Sequence, residues 1–307
     1  MVVLVWYPIN YFKISFGKQD QLGKLVKKLK AIYSIPDDIS EDQLRDFLED
    51  RASEKELSRI LNALTRYVPY RFIRPWFLEL VGVIDGAINR RILELQESRM
   101  NRPPYQIKDE LISFNSDWLN WIRSNLMLIE KFTLFELFRY VEKNNPNTPN
   151  ISLKLFKPQQ RKLTQATNLW KGFVDRNRTV RTVFEKKPVI KLDVVSIDHY
   201  IPWSYLTHDQ LWNLHPTEKI SNSSKGNKLP HSSYSSEFCL LQYQFVRYLI
   251  SEEKEKYLLD YNNFLFISTR DLAIIPRELF QQKLREKMEI HLDTAQTMGF
   301  SPNWFLD

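Results

Sequence analysis

Apolar side chains in the first 145 residues recur at helical spacing, and that periodicity limits the fold more than any other feature of the chain. Leu57, Ile60, Leu61 and Leu64 stand at i, i+3, i+4 and i+7, the stripe that one face of an amphipathic helix requires. Phe77, Leu80, Val81, Ile84, Ile88 and Ile92 form a second stripe, with Pro75 placed for the first turn of its helix. Trp118, Trp121, Ile122, Leu126 and Ile129 form a third. Ser40-Glu41-Asp42-Gln43 has the capping-box spacing, in which the first and fourth residues satisfy each other's free amides. Ser53 to Glu56 and Thr133 to Glu136 repeat that spacing and predict two further helix starts. Only 7 glycines in 307 residues agree with a helix-rich chain, and the 13% aromatic share excludes wholesale disorder.

The single cysteine, Cys239, excludes an intrachain disulfide and a multi-cysteine zinc site, and fits a reducing compartment. No run approaches the roughly 18 apolar residues of a membrane span. The apolar start, Met1 to Tyr7, is cut short by Pro8 and Lys13 and reads as a buried strand or extended arm rather than a signal peptide. A cytoplasmic protein without membrane attachment is expected.

Charge is unevenly placed. Between Ile151 and Leu192 stand eleven basic residues, Lys154, Lys157, Arg161, Lys162, Lys171, Arg176, Arg178, Arg181, Lys186, Lys187 and Lys191, against Asp175 and Glu185. That local excess is larger than the +7 of the whole chain. Such a block is either the footprint of a phosphate-backbone binder or a solvated helix face. Arg66 to Phe77 interleaves basic and aromatic residues, a pattern that suits base stacking and also a buried turn with snorkelling arginines. Asn144 to Asn150, with Pro146 and Pro149, has turn chemistry and is read as a linker. A basic helix is expected over 158–181, a strand around Val194-Val195-Ser196-Ile197, a helix after Ser232, and a last helix from Pro276 to Gln296.

The chemistry gathers after that strand. Asp198-His199 follows it directly, then Ile201-Pro202, then Leu211-Trp212-Asn213-Leu214, then Asn222 and Lys225 in a polar segment closing on Leu229-Pro230. Neighbouring side chains on a strand point to opposite faces, so Asp198 and His199 share one site only if the strand ends there and the backbone turns. Leu211 to Leu214 can pair with the first strand, and Glu218 to Leu229 can form a helix of weak intrinsic propensity. A metal ion gripped by Asp198 and Asn222 would support that helix. His208, His215 and His231 lie nearby at spacings that fit no common zinc pattern and are read as loop residues.

This segment resembles the HNH endonucleases, whose fold is a ββα-metal finger. Their Asp-His pair, central Asn and final His or Asn fall here on Asp198-His199, Asn213 and Asn222, over roughly residues 192–231. The spacings, with Ile201-Pro202 and Leu229-Pro230, are similar to those of the HNH domain of RNA-guided CRISPR nucleases. Pro-Trp-Ser and Leu-Trp-Asn-Leu are similar to restriction-type HNH proteins. The resemblance implies His199 as general base, Asp198 and Asn222 as metal ligands, Asn213 as the residue holding the loop, and Lys225 as a contact to phosphate. It implies Mg²⁺ or Mn²⁺ as cofactor, since two oxygen ligands make a hard site. Unlike many members, the chain lacks the Cys-x-x-Cys pairs of a structural zinc. Lys219-Ile220-Ser221 stands where one pair would end, so Trp203, Tyr205 and Trp212 are expected to hold the finger by packing.

The fold expected is therefore α+β: a mostly α-helical protein with an inserted ββα-metal finger. Residues 1–150 would form a helical recognition or partner-binding region and 151–192 a basic connecting segment. Residues 193–231 would carry the nuclease motif, and 232–307 would be helices packed on it. The function implied is metal-dependent hydrolysis of DNA, with RNA as an open alternative substrate. The setting implied is a restriction or anti-phage defence system, with a partner sensor protein or a homodimer. The alternative is a nucleic-acid-binding or assembly module whose finger is catalytically silent.

Overall fold

The computed structural model describes residues 2–17, 21–96, 102–109, 111–157, 161, 163–177, 179–189 and 195–306. They divide into two compact units, one of residues 1–10 and 15–144, the other of residues 11–14 and 145–307. Among the described residues the architecture is mostly α-helical with two small two-stranded sheets, as the α+β expectation has it.

The first unit opens with a helical turn, Val2–Trp6, that runs into a wider turn, Tyr7–Tyr11, and not with the strand or arm expected. Its apolar residues sit at helical spacing, so Val2, Trp6 and Ile9 can enter one core. Helices α1 (Gln21–Tyr33), α2 (Glu41–Asp50) and α3 (Lys55–Thr65) supply Val26, Leu29, Leu44, Leu57 and Ile60 to it. The capping box at Ser40 is present in full, with Ser40 Oγ accepting from Gln43 N at 3.2 Å. The one expected at Ser53 is not. Helix α3 starts after Glu54, whose carboxylate accepts instead from the Tyr33 hydroxyl at 2.8 Å.

A second core in this unit joins α4 (Val68–Ile73) and α5 (Asp85–Leu95) to a hairpin, β1 (Tyr105–Lys108) and β2 (Leu111–Phe114), that the sequence reading missed. Pro75 lies in a short 3₁₀ turn, and the helix follows only at Asp85, later than expected. Helices α6 (Ser116–Ser124) and α7 (Leu126–Asn144) come next. The expected single helix across Trp118 to Ile129 breaks at Asn125, and Thr133 lies inside α7 rather than at its start.

The second unit has one large core. Helix α8 (Thr164–Arg176) brings Trp170 and Phe173, both buried, against α10 (Ser235–Ser251), and Trp170 stacks on Phe245 at 3.9 Å. Helices α11 (Leu259–Leu265), α12 (Thr269–Ile274) and α13 (Arg277–Met298) close it. Helix α13 inserts Phe280, Leu284, Met288 and Ala295, spaced by about one helical turn or two, and stops at Gly299 in the left-handed region. Between α8 and α10 lie β3 (Val195–His199), β4 (Leu214–Glu218) and α9 (Lys219–Lys225). The strand expected at Val194 begins at Val195, and residues 190–194 lie outside the described residues. Strand β4 begins at Leu214, while Leu211–Asn213 form a 3₁₀ turn rather than strand.

The basic block is less free than its count suggests. Arg176 is paired with Glu252, Lys186 with Glu237 and Lys187 with Glu218. Lys154 is fully buried, donates to the Pro149 carbonyl and lies 5.6 Å from the centre of the Tyr205 ring. Burial pushes its ammonium down to about 7 from 10.5. Between those values the unfolded chain binds the extra proton, so this residue makes stability rise with pH. Lys154→Met is therefore expected to unfold at a higher temperature than wild type at pH 7, with the gap narrowing by pH 9.5, at up to about 1.4 kcal/mol per pH unit. Parallel thermal melts across that range check this; a gap constant with pH contradicts it.

Candidate active site

Strands β3 and β4 pair antiparallel, with Asp198 opposite His215, His199 opposite Leu214 and Ser196 opposite Thr217. Tyr200 N donates to Asn213 O at 2.9 Å and carries the pairing one residue further. The chain then turns out of the hairpin at Ile201-Pro202. Asn213, wholly buried, grips that turn from both sides: Ile201 N donates to its Oδ1 at 2.8 Å, and its Nδ2 donates to Ile201 O at 2.8 Å. A planar amide can answer an N–H and a C=O of one residue together, which is why an amide side chain is required here.

Asp198 and the residues of α9 meet on one face of the hairpin. Lys225 Nζ lies 2.9 Å from Asp198 Oδ2 and donates to His199 O at 2.8 Å. Both side chains are closed to solvent, at 8% and 1% exposure. Asn222 Nδ2 donates to Ser196 Oγ at 3.1 Å, which leaves the amide oxygen as its acceptor atom. His215 Nε2 faces Asp198 Oδ2 at 4.0 Å. Glu185 reaches the same hairpin, accepting from Thr217 Oγ1 at 3.0 Å and Glu218 N at 3.2 Å. Burial works to raise its carboxyl, but bonds from Ser221, Thr182 and Thr217 outweigh it and the net shift is downward.

His199 alternates to the other side of β3, as a strand residue must. Its Nε2 lies 2.8 Å from Asp209 Oδ1. A carboxylate only accepts, so Nε2 carries the proton and the lone pair is on Nδ1. Burial pulls the imidazole below its ordinary range, against the opposing influence of Asp209 and Asp198, and keeps it neutral. The structure thus brings Asp198 and Lys225 together, ties Asn222 to Ser196 two residues before Asp198 on β3, and directs the His199 ring to a different neighbour, Asp209.

A divalent cation would be held by the Asp198 carboxylate and the Asn222 amide oxygen. The fit rests on the donor set: a buried carboxylate whose one close cation is Lys225, 2.9 Å from Oδ2, and an amide whose oxygen stays an acceptor while its Nδ2 donates to Ser196. Oxygen donors of this kind suit a hard cation. No group of three or more His, Cys, Asp or Glu side chains gathers as a metal cluster among the described residues.

A strand ending in Asp-His, an amide-braced loop, a second strand and a short helix define a ββα finger. Residues 185–231 match the family model described as HNH endonuclease, which places this segment in that family. No curated protein and no solved structure matches the chain. The match suggests a nuclease, and enzymes of that family generally use divalent metal ions.

Packing holds the finger. Trp212 stacks on Phe264 at 3.6 Å, Tyr205 lies edge-on to Phe300, and Trp203 meets Phe12. Beyond α9, Leu229 N donates to Ser301 O and His231 N to Trp304 O, each at 2.8 Å. Three residues of the site were not among those expected. Asp209 has no spacing that marks it out in its loop. Glu185 comes before the segment read as the finger. His215, expected in a loop, is a wholly buried member of β4. The register set by Asn213 would have placed it opposite Asp198.

Asn213→Ala should leave both Ile201 backbone groups without partners inside the protein, at a cost of about 2–4 kcal/mol. Urea unfolding would show it as a lowered midpoint with unchanged slope; a loss below about 0.5 kcal/mol would mean that the turn does not depend on this amide.

Proposed function

We propose that this chain is a metal-dependent endonuclease that hydrolyses phosphodiester bonds in DNA. The observation that supports this most is a neutral imidazole, fixed by a carboxylate, next in sequence to a buried acid. His199 Nδ1 accepts the proton of the attacking water. The water oxygen bonds to phosphorus, and the bond to O3′ breaks, leaving a 3′-hydroxyl and a 5′-phosphate. Asp209 holds the ring in the tautomer that presents Nδ1 and steadies the imidazolium once the proton has arrived. Asn213 keeps the strand end in place. Lys225 secures the Asp198 carboxylate and the His199 carbonyl, which fixes the peptide between the two residues. A bound Mg²⁺ or Mn²⁺, held by Asp198 and Asn222, would stabilise negative charge on the phosphate and the departing oxygen.

Arg161, 5.4 Å from the Trp203 ring, stands near enough to His199 to depress its protonation and is placed to meet a phosphate. An open cavity of about 360 Å³ reaches Asp209 and carries Gln165, Lys256 and Tyr257 on its wall. These features support a nucleic-acid contact beside the finger. The helical first unit would serve recognition or a partner, and a restriction or defence role fits a nuclease joined to such a unit. Cytoplasmic residence and a homodimer belong to this reading. No helix among the described residues is long and apolar enough to cross a membrane.

A second reading draws on one observation. The side chains of His199 and Asp198 are 3% and 8% exposed, as they would be in a silent binding module. Plasmid nicking separates the two. With Mn²⁺ or Mg²⁺, wild type should nick, EDTA should abolish cleavage, and His199→Ala should lose at least about 10²-fold in rate while still binding DNA. Equal cleavage by wild type and His199→Ala, or none by either with DNA binding intact, rejects His199 as the base.

A further inference from the structure

Among the described residues, His215 faces the Asp198 carboxylate and has no part in the nuclease reading. It is wholly buried, with Phe184 and Phe238 edge-on to its ring at 4.9 and 5.5 Å. Its Nδ1 lies 3.2 Å from Pro216 O, an acceptor only, so Nδ1 carries the proton and Nε2 carries the lone pair. Nε2 receives no hydrogen bond among the described residues and faces Asp198 Oδ2 at 4.0 Å. A buried nitrogen acceptor left unmet costs about 1–3 kcal/mol. Lys225, an ammonium with three donors, bonds the His199 carbonyl and stands 2.9 Å from Asp198 Oδ2, so it meets the carboxylate and leaves His215 Nε2 without a partner. A cation between them would satisfy both. Metal bonds to a carboxylate oxygen and an imidazole nitrogen are roughly 2.0–2.2 Å long, which suits a separation of 4.0 Å.

We propose that His215 Nε2 is a third protein ligand, binding a divalent cation from β4 while Asp198 binds it from β3 and Asn222 from α9. The assignment rests on the nuclease reading only in placing the metal at Asp198. The antiparallel register sets Asp198 and His215 directly opposite each other, so the hairpin itself holds the pair. An imidazole ligand shifts preference from Mg²⁺ towards Mn²⁺ and later transition metals, which bind nitrogen more strongly.

The test uses the full chain with Mn²⁺ alone. Pulsed electron paramagnetic resonance of the bound Mn²⁺ should show nitrogen coupling from one imidazole in wild type and in His199→Ala. Coupling should vanish in His215→Gln and His215→Val, with Mn²⁺ affinity weakened at least about tenfold. Valine matches the apolar surroundings and glutamine keeps polarity and bulk, so a fold control by circular dichroism applies to each. Coupling that persists in both His215 variants, is lost in His199→Ala, or is absent from wild type overturns the assignment. Metal-dependent nicking by a wild type lacking nitrogen coupling would leave the nuclease standing without this ligand. Absence of both Mn²⁺ binding and nicking would remove the two readings together.

Discussion

The double hydrogen bond between the Asn213 amide and the Ile201 backbone is the constraint on which the site depends. It closes the loop between β3 and β4 at a fixed residue. That sets the pairing register, and a strand slipped by one residue would turn every side chain to the other face. With the register fixed, Asp198 lies opposite His215, His199 lies opposite Leu214, and α9 follows with Asn222 and Lys225 over the hairpin. One buried amide thus positions an acid, two imidazoles and an ammonium that are separate in the sequence.

A two-stranded hairpin with a seven-residue helix is too small to be stable alone. Aromatic surface supplies what it lacks. Trp212 against Phe264, Tyr200 against Phe238 at 4.1 Å and Phe184 against Trp304 at 4.9 Å tie the finger to α10, α11 and the C-terminal segment. These contacts are non-directional. Direction comes from polar bonds such as Asp260 accepting from Leu211 N at 2.8 Å and Gln242 donating to Leu214 O at 2.7 Å. Charge inside the finger is then balanced locally, by Lys225 at Asp198 and by hydroxyls at Glu185.

Much of the finger was legible because each of its residues has a local reason to be there. Proline after Ile201 ends the strand, Asn213 is needed for its two-sided bond, and Gly226 takes a positive φ of 49° after α9. Helix ends were less legible, since capping depends on competing partners: Gln43 returns to Ser40, but Glu56 is drawn to Lys28 and Arg59. The β1–β2 hairpin stayed hidden because β2 buries none of its four residues, so no alternation betrays it. Its brace is Gln96, whose amide bonds both Ile107 N and O, a long-range contact that no local pattern signals. Asp209 and His215 gain meaning only once the hairpin is folded. The same holds for Asp198 and His199, whose neighbouring letters suggest one pocket while strand alternation gives them different partners.

The central claim is that the buried Asp198 carboxylate anchors a divalent cation. Anomalous diffraction from crystals of the full chain equilibrated with Mn²⁺ tests it most directly. The expected result is a single strong peak roughly 2.0–2.4 Å from an Asp198 oxygen and within bonding reach of the Asn222 amide oxygen. A peak at any other side-chain group, with Asp198 still held by Lys225 alone, would contradict it.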